Sequence, residues 1–380
     1  MEQSNNKMYM NKFFLSLLLF AGILAASSCI KDEPKNMEAD ITEVMLDSVP
    51  QLDPQISNST VFIYVNPKHY DIKNFKFNFT TTPGAVATPL SGTAKDFTNS
   101  VDYTITSEDG QFSKVYTVTV IQTNDSPIPN EFNFENFTID ARNKYTSFVD
   151  IVDGTSFPNW SSGNAGFALT LGSNKTTEAY PTLATKEKRS GEYAALMETK
   201  LTGSLGASFG SPIAAGNLYI GTFNTLSAML DPLKATRFGI PFNKVPVELS
   251  GYYKYTPGPQ VTDAKLQPLN IADSCDIYAV LYNRKELEAT SKVKYLHGGN
   301  ILSDPSIVAI ARLANGSQTP GTDFVKFTAP FVFLKPQNQK QIQNMDYNLT
   351  IVLSSSKRGA EFIGAAGSKL IVDDLKLKTK

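Results

Sequence analysis

The sequence predicts an all-β chain, a small antiparallel β-sandwich followed by a larger jelly-roll-like β-sandwich. Three observations lead there. Short segments of β-branched and aromatic residues alternate with polar ones at a period near two. Gly, Pro, Asn or Ser bounds nearly every such segment. Helical signals are few: the best is Thr225 to Lys234 (TLSAMLDPLK), and Pro232 limits it to a turn or two. Twenty-four phenylalanines and sixteen tyrosines supply apolar area for β cores.

The chain opens with Lys7 and Lys12, an uncharged apolar run from Phe13 to Ala26, and the small pair Ser27-Ser28 before Cys29. Basic, apolar and small-residue regions in that order make a secretory signal over 1–28, and the apolar run is too short to span a bilayer. A cysteine directly after the small residues resembles the lipobox of bacterial lipoproteins, although Ala26 stands where Leu is commonest. That resemblance implies lipidation of Cys29 and anchorage in the outer membrane. Lys31-Asp32-Glu33 is similar to the export tag of Bacteroidetes surface lipoproteins, which implies display on the outer face. Residues 29–38 otherwise read as a solvated, flexible tether.

From 39 to 123 the segments ADITEVMLDS, STVFIYVNP, KNFKFNFTT, VDYTITSED and KVYTVTVIQ are strand-like. Asp109-Gly110 sits between two of them as a hairpin turn would. Without a helical stripe, the economical fold is a small antiparallel sandwich with Thr104, Thr106, Thr117 and Thr119 facing solvent. Residues 96–120 (DFTNSVDYTITSEDGQFSKVYTVTV) resemble the small immunoglobulin-like (Ig-like) domains that follow the tether in many such lipoproteins, which implies a spacer. Residues 124–130 (NDSPIPN) hold two prolines and read as a stiff linker.

From 131 to 380 the segments FNFENFTI, VELSGYYKYT, CDIYAVLYNR, SIVAIARLA, DFVKFTAPFVF, YNLTIVLSSS and KLIVDDLKLK predict two antiparallel sheets, with long loops over 153–215 and 256–274. Net charge is −1 with acids and bases interspersed, which excludes the electrostatic footprint of a nucleic-acid binder. Cys275 lies in an apolar strand and reads as a small core residue. A catalytic thiol would need a partner from His69 or His297, and neither lies in a nucleophile motif.

GNLYIGTFN (216–224), RFGIPF (237–242), LSGYYKYTPG (249–258), CDIYAVLY (275–282) and GAAGSKLIVDDLKL (364–377) resemble the putative carbohydrate metabolism domain of Bacteroidetes lipoproteins. The resemblance implies a jelly roll similar to carbohydrate-binding modules and some glycosidases. It implies a glycan or polysaccharide as partner, with other proteins of a polysaccharide-use system beside it.

The candidate residues each carry two readings. Tyr252, Tyr253 and Tyr255 share one strand, where the pleat puts Tyr253 and Tyr255 on one face and Tyr252 on the other. Their rings suit sugar C–H faces, or they fill the core. Trp160, in the loop FPNWSSGNAG, either offers a stacking surface or plugs the sandwich end. Arg237 forks to a ligand or to a core-edge acid. A glycosidase needs two carboxyls about 5 to 9.5 Å apart, one with a raised pKa. Glu187, Glu192, Glu198, Glu248 and Asp276 are scattered, and Glu248, beside the tyrosine strand, is the best single acid. In similar carbohydrate-binding sandwiches an acid on the first strand and one on the last share a structural calcium, and Glu135 and Asp374 stand at matching places. The leading expectation is a glycan-binding protein. The alternatives are a glycoside hydrolase on the same fold and a structural or adhesive protein without a sugar site.

Overall fold

The computed structural model describes residues 35–46, 54–56, 59–65, 70–123 and 125–380. The signal segment, Cys29 and His69 lie outside the described residues. The chain is all-β, built as two sandwiches with short helices in their connections. Among the described residues no helix is long and apolar enough to cross a membrane.

In the first sandwich a five-stranded sheet runs in the order Gln55–Ile56, Thr60–Val65, Ser113–Gln122, Val101–Thr106, Val86–Thr88. Ile41–Met45 pairs with Asn78–Thr81 in a second, two-stranded sheet. Alternation sets the core: Tyr103, Ile105, Tyr116, Val118 and Val120 are buried, while Thr104, Thr106, Thr117 and Thr119 face outward. Phe77 and Phe79 close on Tyr103, with ring centroids 5.6 and 5.5 Å away. Gly110, at φ 69°, turns the hairpin between Thr106 and Ser113. One pairing departs from the wholly antiparallel expectation. Thr60–Val65 runs parallel to Ser113–Gln122, because the long segment between them carries the chain across the sandwich.

The second sandwich stacks a six-stranded on an eight-stranded antiparallel sheet. The six-stranded sheet is ordered Thr182–Thr185, Ala194–Glu198, Lys369–Thr379, Pro246–Thr256, Val325–Pro330, with Glu131–Phe132 on the closing strand. The eight-stranded sheet runs Trp160–Ser161, Asn217–Phe223, Tyr347–Ser354, Asp276–Asn283, Ile307–Arg312, Val332–Phe333, and two edge strands, Thr236–Phe238 and Ile240–Phe242, complete it. Between the sheets, Leu249, Tyr253, Tyr255, Leu370 and Val372 meet Leu218, Ile220, Ile277, Leu281, Leu349 and Ile351. Asp276–Asn283 is buried along its whole length, which explains the unbroken apolar reading of CDIYAVLY. Its outer side carries a second apolar layer, in which Leu287, Leu296 and Ile301 cover Tyr219, Tyr278, Val280 and Tyr282.

The helix that begins this cover, Arg284–Ser291, starts where Asn283 accepts the backbone N–H groups of Lys285 and Glu286, both at 3.1 Å. The TLSAMLDPLK segment folds as two single turns, Thr225–Leu230 and Pro232–Ala235, broken before Pro232. Gly221 lets the Asn217–Phe223 strand run between two partners. At φ 146°, a Cβ there would stand 2.1 Å from the Arg237 carbonyl oxygen.

The connection between the sandwiches is docked against the second one. Ile128 is buried in its core. The Ser126 N–H donates to Asn243 Oδ1 at 3.1 Å, and Asn243 Nδ2 donates to Asp125 Oδ1 at 2.9 Å. Tyr64 of the first sandwich stacks on Phe157 of the second, centroids 6.3 Å apart, with Met345 beneath them.

Candidate functional site

The outer face of the eight-stranded sheet is only partly roofed by the segment after Asn283. Beyond that roof the sheet opens into a groove of about 700 Å³. Its floor comes from adjacent strands: Asp276 lies opposite Ser354, and Tyr278 opposite Val352, all on the outward side of the pleat. The walls come from segments 163–170, 202–215, 232–236, 298–303 and 356–362.

Those walls are mostly apolar: Leu169, Leu205, Phe209, Phe223, Leu233 and Phe362 line them. Phe209, at the end of the helix Gly203–Ser208, is 56% exposed, so its ring is an open surface at the rim. The floor is polar at one end. Arg312 forks onto Asp276, with Nε–Oδ1 at 2.9 Å and Nη2–Oδ2 at 2.5 Å, and its guanidinium lies 5.7 Å from the Tyr278 ring centroid. Burial pushes the Tyr278 phenol well above its ordinary pKa, so the hydroxyl stays a neutral donor.

The 356–362 wall hangs on one buried acid. Asp273 Oδ2 accepts from Ser356 Oγ at 2.6 Å, the Ala365 N–H at 2.8 Å and Ser368 Oγ at 2.7 Å. Thr199 hydrogen-bonds Ser355 and Ser356 at 2.8 and 2.6 Å, tying the same turn to the other sheet. The carboxylates lining the groove are Asp276 and Glu361. Glu361 is held below its usual pKa by the Arg358 guanidinium, at 2.6 Å. Glu361, paired in this way, stays ionised and accepts hydrogen bonds.

The residues singled out from the sequence do not converge on this groove. Trp160 is 4% exposed: Phe132 and Phe134 pack on its ring at 5.3 and 5.4 Å, and its Nε1–H donates to Asp150 Oδ1 at 3.0 Å. It packs at the sandwich end, where it borders a smaller cavity of about 470 Å³. Burial pushes the Asp150 carboxyl up to about 6, against the opposing effect of its bonds from Asn159 and Trp160. Tyr253 and Tyr255 face the core. Tyr252 lies on the outer face of the six-stranded sheet, under the Arg189 guanidinium 3.7 Å from its ring centroid. Glu248 is on that same outer face, across from Pro330 and Lys378, so the sandwich separates it from the groove. Arg237 is exposed on an edge strand whose neighbours Thr236 and Phe238 turn into the groove, and its guanidinium stands 5.9 Å from the Tyr295 ring centroid. Cys275 is buried in the core, and burial pushes its thiol well up, which suits a packing residue.

Glu135 and Asp374 do reach a common place, but their oxygens meet N–H and O–H donors. Glu135 Oε1 accepts the N–H groups of Glu192 (2.8 Å) and Tyr193 (3.3 Å). Asp374 accepts Ser190 Oγ at 2.8 Å and the Arg189 guanidinium. Buried Asp373 beside it accepts the N–H groups of Arg189 and Ser190 at 2.8 and 3.1 Å. The donor set therefore does not fit calcium: a guanidinium already supplies the positive charge, and the three acids clamp the 189–193 loop. Among the described residues no group of three or more His, Cys, Asp or Glu is placed to hold a metal ion.

Sequence reasoning missed Phe209 and Phe362. The available signal was a lone aromatic in each of two Gly-rich stretches, GASFGS and GAEFIGAAG. A jelly-roll-like sandwich with an open groove on one sheet is an architecture shared by domains of several kinds, and the fold alone does not name the ligand.

Comparison with known proteins places the chain in a carbohydrate-related family. Residues 133–378 match the family described as putative carbohydrate metabolism domain, and the chain belongs to that family. Residues 48–120 match the domain described as SGBP, N-terminal. The chain is similar to the crystal structure of a putative glycoside hydrolase from Bacteroides thetaiotaomicron, at 38% identity and TM-score 0.82 over 92% of this chain and 99% of that one. It is also similar to a putative glycoside hydrolase from Bacteroides vulgatus, at 39% identity and TM-score 0.60 over 67% of this chain and 100% of that one. Among curated proteins none matches.

Proposed function

We propose that the chain is a glycan-binding protein that seats its ligand in the groove on the outer face of the eight-stranded sheet. The observation that carries this reading is the groove itself: open aromatic and aliphatic walls beside a charged and hydroxylic floor, within a domain of a carbohydrate family. Sugar rings present apolar C–H faces for Phe209 and hydroxyls for Asp276 and the serines beside it. The N-terminal match and the signal over 1–28, directly before Cys29, support display at the outer membrane surface through a lipid anchor, beside other proteins of a polysaccharide-use system.

A glycan array probed with residues 31–380 tests the reading. Retention on one polysaccharide class, lost in Phe209→Ala, is the expected result, and no retention on any plant, host or microbial glycan overturns it. The names of the Bacteroides relatives make hydrolysis the rival. Binding is favoured here because each lining carboxylate is already bonded to a guanidinium, Asp276 to Arg312 and Glu361 to Arg358. Steady release of reducing sugar, abolished by Asp276→Asn or Glu361→Gln, would replace binding with hydrolysis.

A further inference from the structure

The hydroxyls that line the groove are mostly spent inside the protein. Thr170 donates to the Phe167 carbonyl and Thr182 to that of Asn217, both at 2.8 Å. Ser354 donates to the Ser356 carbonyl at 3.0 Å, Tyr219 to the Thr222 carbonyl at 3.1 Å, and Ser356 to Asp273. A hydroxyl has one proton, so these groups keep only lone pairs for a ligand. Asp276 and Glu361, each bonded to a guanidinium, add further acceptors. Ser303 and Lys357, which also line the groove, are exposed.

Tyr278 differs from all of these. It is 6% exposed, it lies on the groove floor, and among the described residues its hydroxyl makes no hydrogen bond. Nor is that oxygen sealed. The partnerless oxygens closed off from solvent include those of Tyr64 and Tyr255 but not this one, so a molecule in the groove can reach it. Phe238, Ile301 and Val352 share its apolar layer and line the same space. This part of the floor therefore presents an O–H donor set in aliphatic and aromatic surface. An unsubstituted sugar would bury several hydroxyls here, each giving a proton and taking one, and buried hydroxyls without partners are costly. A carbonyl oxygen only accepts, and an acetyl group joins it to a methyl that suits the walls.

We infer that the groove selects an acetylated saccharide, whose acetyl carbonyl accepts the Tyr278 hydroxyl while its methyl packs in the apolar layer around that ring. The inference rests on the glycan-binding reading and adds to it the substituent that the groove prefers. N-acetyl and O-acetyl sugars present the same methyl and carbonyl, and the test separates them.

Titration calorimetry of the chain used for the array compares matched pairs. Chitohexaose and cellohexaose differ by an acetamido group in place of a hydroxyl on each sugar. Native acetylated glucomannan, xylan and pectin are each set against the same polymer after mild alkali, which removes ester-linked acetyl groups. In at least one pair the acetylated member should bind about tenfold more tightly, an N-acetyl ligand if the pair is chitohexaose and cellohexaose, an O-acetyl ligand otherwise. Tyr278→Phe keeps the ring and loses only the hydroxyl, so it should lower that preference about fivefold at an unchanged Tm. Equal affinity within every pair, or an undiminished preference in Tyr278→Phe, overturns the inference. The groove reading survives that result if Phe209→Ala still abolishes retention on the array. An array on which the parent chain retains nothing overturns both.

Discussion

Truncation of Phe209 is the sharpest test of the groove. An aromatic side chain offers roughly 200 Å² of surface, so the 56% of Phe209 that is exposed leaves about 110 Å² for a ligand. A sugar ring stacked on one face covers about half of that, which at ~25 cal/mol per Å² is worth about 1.4 kcal/mol. Phe209→Ala should therefore raise Kd about tenfold. Because the ring is already largely in water, its removal should change stability by less than about 0.5 kcal/mol. Titration calorimetry with the array-selected hexasaccharide measures the first quantity and urea unfolding the second. Affinity within twofold of the parent at unchanged stability would refute the assignment of this rim. A tenfold loss accompanied by a large drop in stability would refute the claim that Phe209 acts through its exposed face.

Three other outcomes follow from acids that hold hydrogen bonds within the second sandwich. Asp150 has a folded-state pKa raised from 3.8 to about 6, so between those pH values the folded chain binds more protons than the unfolded one. Its contribution is fully present below about pH 4 and is lost as pH rises through 6, a difference of about 3 kcal/mol. Urea midpoints taken from pH 4 to 7 should show this slope as the difference between the parent and Asp150→Asn, and parallel curves would remove the argument. Asp273→Ala leaves three buried donors without their acceptor and should cost about 3 kcal/mol or more, read from the same unfolding curves. It should also weaken glycan binding by loosening the 356–362 wall; stability within about 0.5 kcal/mol of the parent would contradict that network. Chelation should leave Tm unchanged, since Glu135, Asp373 and Asp374 are taken up by the 189–193 loop, and a fall in Tm reversed by added calcium would show the loop clamp to be incomplete.

The fold was legible in the sequence wherever a strand buries one face or both. The alternation in VDYTIT and KVYTVTV, and the unbroken apolar run of CDIYAVLY, each follow from which sides of the strand are covered. The cap of helix Arg284–Ser291 was equally available, as Asn283 followed three residues later by Glu286, but it lay inside a segment read as strand. The groove was not legible for a physical reason: its walls are loops, and Phe209 and Phe362 obey no period that ties them to the strands beneath. Trp160 drew attention as a lone indole among polar residues. What decides its place is a carboxylate ten residues earlier in the chain, and that partnership has no local signature. The tyrosine strand shows the opposite case, since the pleat alone assigned Tyr253 and Tyr255 to one face and the packing made that face the core.

The junction between the sandwiches bears on what the first of them does. A spacer joined by a free hinge would let the groove point in any direction, and a Pro-containing linker only stiffens such a hinge. Here Ile128 is buried in the second core, Asn243 bonds Asp125 and Ser126 on either side of the turn into it, and Tyr64 lies flat on Phe157. Each of these contacts is lost if the domains swing apart, so the relative orientation is part of the folded state and does not vary freely. The first sandwich is thus held in place against the domain that carries the groove, which a spacer on a free hinge would not be.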